Sequence, residues 1–436
     1  MTRVAIGGKG SSGESHAEQQ LSRVEEIVKA FVVPEPIGVY IQVPFCQTKC
    51  TYCNFHTGVA SPAVYTPYAR RLEREIREWR ALHSDAGLEF AARFNIKAFV
   101  KPKSDSVYVG GGTPSLFDPA DLARILDAVR AEFAVAPEAE ITLEADPETI
   151  VMEKATAWLS AGINRISLGA QSFQDAELKS AGRMHRRSDI FTAIDRLRSA
   201  GFNNLSLDLI AGLPYQTAAS WRESVEQALR LRPGHMSIYL LEIDEGSRLG
   251  RELLSGGSRY SAAAAPNDDA MAESYEFACD ALAAAGYEHY EISNWALPGF
   301  RSRHNLKYWR RQPYLGFGAG AHSFDGRWRW ANAHDAAAYA AAIEQGRVPV
   351  EQLEKVGPRQ ALEEELFLGL RQLEGIDLAE IAGRYGAEFE NRFKAGIDAR
   401  IDDLLAQGLV EREGSRVRLA PARLAVSNEV FVSLLD

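Results

Sequence analysis

The sequence predicts an α/β fold: a partial (β/α)6 barrel, followed by an α+β extension and a C-terminal winged-helix-like domain. Three observations carry that reading. Six short apolar runs alternate with amphipathic helical stretches. Each run ends in a glycine cluster, a cysteine loop or a polar side chain. Near residue 350 the alternation gives way to helices and a hairpin.

In order, the runs are VYIQVPF (39–45), SVYVGGG (106–112), EITLEAD (140–146), RISLGAQ (165–171), NLSLDLIAG (204–212) and HMSIYLLEI (235–243). Between them Leu72, Ile76, Trp79 and Leu82 share one helical face, as do Leu122, Ile125, Leu126 and Val129. Asp118-Pro119 supplies an N-cap and a proline at the first helical position, and Thr217 caps the helix carrying Trp221, Val225 and Leu229. Strand and helix in alternation mean parallel βα units with right-handed crossovers. This organisation occupies residues 37–250, with an extension over 251–350. Residues 1–36 are rich in glycine and serine at their start and read as a lead without fixed structure, although Leu21, Val24, Ile27 and Val28 could face one way on a short helix. The domain at 351–436 reads as two helices broken at Gly375, a third helix, and a hairpin turning at Gly414-Ser415.

Composition bounds the function. A chain of 436 residues with 46% hydrophobic and 25% charged residues is long enough for two or three domains and reads as globular. No apolar run is long enough to span a bilayer, and the first residues lack a secretory apolar segment. A net charge of −10 argues against a phosphate backbone as the main partner. The acidic runs Glu363-Glu364-Glu365 and Asp402-Asp403 argue the same for the winged helix, despite Arg412, Arg416 and Arg418 on its wing.

Four cysteines are too few for a disulfide framework and point to a reducing cytoplasmic setting. Three of them, Cys46, Cys50 and Cys53, fall within eight positions, a spacing that suits metal ligation. Zinc would need a fourth ligand, and His56 could complete a Cys₃His set. A cubane iron–sulfur cluster held by three thiolates would keep one iron open for an exchangeable ligand. Cys279 sits at the margin of the helical stripe Met271, Tyr275, Ala278 and Leu282 and reads as a small core thiol.

Chemistry in a βα barrel gathers at the C-terminal ends of the strands. There the sequence places the cysteine loop, Gly110-Gly111-Gly112-Thr113, Glu144, Gln171, Asp208 and Glu242. Singly each has an ordinary alternative: a tight turn, a satisfied strand-end carboxylate or amide, or, for Arg183, a surface cation.

The C-x₃-C-x₂-C loop after a first strand resembles the signature of radical S-adenosylmethionine (SAM) proteins. GGGTPSLF, LEADPET, NRISLGAQSF, GRMH, SLDLIAGLPYQT, YEISNWALPG and HNLKYW resemble, more narrowly, the oxygen-independent coproporphyrinogen III oxidase family, over about residues 37–325. The resemblance implies a radical SAM partial barrel. It implies a [4Fe-4S] cluster on Cys46, Cys50 and Cys53, whose fourth iron takes the amino and carboxylate groups of SAM. It implies SAM contacts from Tyr40, Gly111, Gly112, Thr113, Glu144, Gln171, Arg183 and Asp208, with Tyr52 beside the adenine.

The oxidases of this family resemble C-x₃-C-x₂-C-G-C, whereas here the third cysteine is followed by Asn54 and Phe55. That pattern, with HNLKYW, resembles the family's HemW-type heme-chaperone branch. It implies heme or porphyrin as the bound partner, on the side of the 251–350 extension, and a hemoprotein acceptor. The alternative is oxidative decarboxylation of coproporphyrinogen III. His304, beside Tyr308 and Trp309, is the first candidate heme ligand, His322 the second, and His235 and His289 rank below.

Overall fold

The computed structural model describes residues 36–85, 101–386, 389 and 394–435. The lead at 1–35, including the short helix expected near its end, lies outside the described residues.

Six parallel strands form the centre: β1 (Ile37–Val43), β2 (Lys103–Gly111), β3 (Ala134–Ala145), β4 (Arg165–Gln171), β5 (Asn204–Ala211) and β6 (His235–Leu240). They lie side by side in chain order, every neighbouring pair parallel. That is the order of a βα barrel left open. The helices between them include α1 (Tyr65–Asp85), α2 (Pro119–Glu132), α3 (Met152–Ser160), α4 (Arg187–Ala200) and α5 (Ala218–Leu231). The expected faces are the buried ones: Leu72, Ile76, Trp79 and Leu82 on α1, and Leu122, Ile125, Leu126 and Val129 on α2. Each such side chain contributes about 1.5–3 kcal/mol on burial, so the apolar stripe rather than helix propensity holds these elements against the sheet. The caps are where the sequence puts them. Asp118 accepts from the Ala120 N–H at 2.8 Å, and the Thr217 hydroxyl accepts from the Ser220 N–H at 3.1 Å.

Among the described residues the sheet has twelve strands, six of them beyond the expected barrel units. The extension adds β7 (Glu288–Glu291) and β8 (Asn294–Ala296), which run antiparallel beyond β6. At the other edge β9 (Tyr314–Phe317) pairs parallel with β1, followed outward by β10 (His322–Phe324), β11 (Trp328–Asn332) and β12 (Val350–Lys355). These strands are short and their apolar patterning is weak, so periodicity does not announce them. β12 belongs to the large sheet, and helix α8 (Pro358–Leu370) follows it.

That unit continues with β13 (Ile376–Asp377), α9 (Leu378–Tyr385), α10 (Lys394–Ala406), the hairpin β14 (Val410–Glu413) and β15 (Arg416–Leu419), and α11 (Ser427–Leu435). Its three-stranded sheet, in the order β13-β15-β14, has winged-helix form. Gly375, at φ +68°, lets β13 pass close to β15: a Cβ there would lie 2.1 Å from the Val417 carbonyl oxygen. Residues Leu424, Ala425, Ser427 and Asn428 from this unit reach back to the barrel mouth.

Candidate functional site

The loop after β1 is pinned at both ends. Phe45–Cys46 pairs in parallel with Gly58–Val59, and the Gly58 N–H donates to the Pro44 carbonyl at 2.8 Å. In its middle the Thr51 N–H donates to the Ala181 carbonyl at 3.0 Å, and Arg248 donates to the Lys49 carbonyl at 3.0 Å. The three cysteines therefore sit on a loop tied to β1, to the segment after β4 and to the segment after β6.

All three thiols line one cavity of about 580 Å³ at the C-terminal ends of the strands. Tyr52, Gly111, Gly112, Thr113, Glu144, Gln171, Arg183, Asp208 and Glu242 line the same cavity. Burial pushes the Cys46 thiol up to about 11 and raises that of Cys50. Opposing this at Cys50 is Arg183, whose guanidinium donates to the sulfur at 3.5 Å, to the Gly169 carbonyl at 3.0 Å and to the Asp146 carboxylate. Half-buried thiols beside a fixed cation suit thiolate ligation of a polynuclear centre. The single-zinc alternative loses its fourth ligand, because His56 turns outward and its ring lies 4.1 Å from that of His334. Cys279 is bonded to Tyr275 in helix α6 (Asp268–Ala284) and does not line the cavity; burial raises its thiol to about 12.

The glycine run knits β2 to the cysteine strand. The Gly112 N–H donates to the Val43 carbonyl at 2.7 Å and the Thr113 N–H to the Phe45 carbonyl at 2.8 Å. A Cβ on Gly112 would sit 2.4 Å from the Phe45 oxygen and 3.0 Å from the Cys46 sulfur. Gly111 adopts φ +113°, and its N–H donates to Glu144 at 2.9 Å while the Tyr108 hydroxyl donates to the other carboxylate oxygen at 2.7 Å. Burial lifts Glu144 to about 7 despite those two donors. Asp208 is likewise raised by burial and accepts from Ser167 at 3.3 Å. Gln171 holds φ +63° where the β4–β5 register breaks, a conformation costing a non-glycine residue roughly 1–2 kcal/mol and characteristic of functional positions.

Two predicted residues lie elsewhere. Tyr40 faces a second, adjoining cavity of about 520 Å³ that shares Gly111 and Glu144 with the first. His304, on helix α7 (Arg303–Trp309), is 1% exposed and lines neither cavity. Its Nδ1 bonds the Ser106 hydroxyl at 3.1 Å and its Nε2 the Tyr308 hydroxyl at 2.9 Å, within a stack that includes Tyr40 and Tyr108. Burial lowers its imidazole to about 3. In this structure both ring nitrogens of His304 are therefore taken up by hydroxyl partners. His235 is equally enclosed, between Ser206 and Tyr290, and His289 stacks on Trp295 at 4.0 Å. His322 is exposed and lines the second cavity.

Sequence reasoning missed Asp146 and Tyr108. Asp146, just past the end of β3, orients Arg183 and accepts from Thr113 at 3.1 Å. Tyr108 looked like one more β-forming residue.

This open parallel barrel, with three cysteines on its first loop facing glycine, carboxylate and arginine at the other strand ends, defines the class: residues 40–228 match the Radical SAM superfamily, and residues 356–422 the HemN C-terminal domain. Membership brings a [4Fe-4S] cluster and SAM as the cofactors of the fold. The chain is 33% identical over 399 residues to the heme chaperone HemW of Bacillus subtilis, covering 91% of this chain and 99% of that one. It is 36% identical over 401 residues to heme chaperone HemW of Mycobacterium tuberculosis, covering 92% and 95%. It belongs to the HemW family. The solved structure of coproporphyrinogen III oxidase (HemN) from Escherichia coli, 21% identical, matches with a TM-score of 0.76 over 94% of this chain and 93% of that one, a likeness of fold. Among the described residues no helix is long and apolar enough to cross a membrane.

Proposed function

We propose that this chain is a heme chaperone, which binds heme beside a SAM-liganded [4Fe-4S] cluster and passes it to an acceptor hemoprotein in the cytoplasm. The observation that carries the reading is Phe55. Where the resembled oxidases have a further loop cysteine, this chain sets a ring that is 67% exposed on the lip common to both cavities. An apolar ring left in water beside a cofactor pocket suits a flat apolar cargo that arrives and leaves. The end-to-end likeness to heme chaperones supports the same reading.

In this proposal Cys46, Cys50 and Cys53 hold three irons. Bound together, the cluster and SAM supply one-electron chemistry at the sulfonium. The backbone at Gly111, Gly112 and Thr113 meets the methionyl end. Glu144 accepts from an ammonium or a ribose hydroxyl, and Asp208 from a ribose hydroxyl. Tyr52 flanks the adenine, while Gln171 and Arg183 fix the opposite wall and Tyr40 backs Glu144. Leu424 and Ala425 of the C-terminal unit help to keep water from the mouth.

The test runs anaerobically on reconstituted protein. Coproporphyrinogen III, SAM and a one-electron reductant are added, and in parallel hemin is titrated and its transfer to an apo-hemoprotein followed. Heme binding and transfer without decarboxylated tetrapyrrole is the expected result. Decarboxylation at catalytic turnover, or no hemin bound, overturns the proposal.

A further inference from the structure

The charge of this chain is unevenly spread. Over its whole length acidic residues outnumber basic ones, 59 to 49. The cysteine loop and the two segments that hold it run the other way. Residues 47–57, 179–187 and 246–251 carry seven lysines and arginines and no aspartate or glutamate. These segments are neighbours in space. The Thr51 N–H donates to the Ala181 carbonyl at 3.0 Å, its hydroxyl to the Ser180 carbonyl at 3.2 Å, and the Leu249 N–H to the Thr51 carbonyl at 2.8 Å. Two of the seven cations are already paired, Arg183 with Asp146 and Arg187 with Glu223. Among the described residues the other five, Lys49, Lys179, Arg186, Arg248 and Arg251, form no ion pair. Three of them bond only backbone carbonyls: Lys49 that of Thr57 at 3.4 Å, Arg248 that of Lys49 at 3.0 Å, and Arg251 that of Ser247 at 3.2 Å. Lys179, Arg186 and Arg251 are exposed, Lys49 and Arg248 half-buried. The flanking carboxylates are engaged with backbone. Asp189 accepts from the Arg186 N–H at 2.7 Å, Asp175 from the Arg187 N–H at 2.8 Å and Asp244 from the Gly246 N–H at 2.7 Å. The exposed Glu242 and Glu245 mark the edge of this basic zone toward β6.

Like charges held together repel one another, and the chain supplies these five with no carboxylate, so their compensation is left to whatever docks on them. The collar they form surrounds the loop that carries the cluster ligands, and the one-electron chemistry of the fold draws its electron from outside the chain. We propose that Lys49, Lys179, Arg186, Arg248 and Arg251 form the docking surface for an acidic electron-carrier protein, which delivers one electron to the cluster across the cysteine loop. In each encounter the carrier's reduced group is oxidised by one electron and the cluster is reduced by one, with no bond made or broken. Electron-transfer contacts are small and brief, and charge rather than apolar area brings the partners together. The surface fits that description. Met184 and Leu254 are exposed apolar points among the cations, enough for a transient contact and too few for a permanent one. Position decides between anionic partners. A lipid surface or a nucleic acid gains nothing from sitting over the cluster loop, whereas a carrier gains rate with every ångström of approach. The assignment rests on the cluster and not on heme.

The experiment uses full-length, cluster-reconstituted protein without oxygen, with flavodoxin, an acidic one-electron flavin carrier, as the probe. Stopped-flow absorption follows cluster reduction by reduced flavodoxin, and calorimetric titration with oxidised flavodoxin reads binding alone. Wild type is compared with Lys179→Glu, Arg251→Glu and the double variant. Lys103→Glu is the control, its cation being exposed at the opposite end of β2. Wild type is expected to bind flavodoxin at low salt, with a reduction rate constant that falls steeply as ionic strength rises. The double variant is expected to be reduced about tenfold or more slowly, with weakened binding and a flattened salt dependence. Lys103→Glu should behave as wild type. Reduction by dithionite, iron and sulfide content and SAM binding should stay at wild-type levels throughout, which separates lost docking from a damaged cluster. A double variant with unaltered flavodoxin binding and salt dependence overturns the assignment. So does wild type that neither binds flavodoxin nor is reduced by it at low salt. Unchanged flavodoxin kinetics with lost binding to phosphatidylglycerol vesicles or duplex DNA would give the collar to a membrane or a nucleic acid and overturn it too. Hemin binding bears only on the heme-chaperone reading, so the two proposals fail separately.

Discussion

The guanidinium of Arg183 lies 3.5 Å from the Cys50 sulfur, the only cation hydrogen-bonded to any of the three loop cysteines among the described residues. Burial raises Cys50, and Arg183 is the largest influence acting the other way. Cluster assembly needs thiolates and releases their protons. Arg183→Met removes the cation, so Cys50 rises further and assembly shifts to higher pH. Iron and sulfide per chain should fall at neutral pH and recover in part at about pH 8.5. Arg183→Lys keeps the charge but not the fork that spans Cys50, Asp146 and Gly169, and should be intermediate. Equal iron content in all three proteins at neutral pH would remove Arg183 from this role.

Gly112 is a packing requirement before it is a ligand contact. Its missing Cβ is the space occupied by the Phe45 carbonyl, and backbone cannot step aside as a flexible side chain does. Gly112→Ala should push the β2 turn off the cysteine strand and cost about 1–3 kcal/mol, read in a denaturant melt, together with loss of iron. Gly58→Ala, where nothing lies within 4 Å of the added carbon, is the control and should keep both.

These two positions show what was legible in the sequence. The six parallel strands, two apolar helix faces and two caps could be read because local pattern and tertiary packing agree there. So could the gathering of the cysteines with Gly111, Glu144 and Asp208, since a βα barrel brings strand ends together whatever its loops do. Three things could not. The strands of the extension are only three to six residues long, too short for periodicity to mark. Asp146 and Tyr108 act through Arg183 and Glu144, and a residue whose partner is another protein side chain leaves no pattern of its own. The enclosure of His304 was not visible either, because its neighbours Tyr308 and Trp309 read in one dimension as an aromatic edge. In three dimensions the same neighbours enclose it.

His304→Ala is therefore expected to leave hemin ligation unchanged. It should instead open a cavity among Tyr40, Tyr108 and Tyr308 and orphan the hydroxyls of Ser106 and Tyr308. A destabilisation of about 2–4 kcal/mol is expected from a buried large-to-small change with lost hydrogen bonds. Calorimetry reads the stability and a hemin titration reads the ligation. Loss of the imidazole-ligated spectrum with an unchanged melting temperature would return His304 to the ligand set.

Glu144 makes the cofactor site pH-sensitive in two opposite ways. Burial holds its carboxyl at about 7, against 4.5 ordinarily. The native state without ligand therefore takes up a proton between those values. Its stability is greatest below about pH 4.5 with respect to this group and falls as pH rises through about 7, by roughly 3 kcal/mol in all. Glu144→Gln removes that slope, so the variant without ligand should outlast wild type in urea at pH 8 and lose the advantage at about pH 5. SAM has the reverse dependence. A cationic ammonium at Glu144 requires the ionised form, so SAM affinity should climb with pH, up to about tenfold per unit below pH 7, and level off above. Calorimetric titration of SAM into wild type and Glu144→Gln across this range separates the Glu144 contribution from ionisation of the ligand itself, which appears in both. Parallel pH profiles for the two proteins would mean that Glu144 does not meet a charged group of the nucleotide.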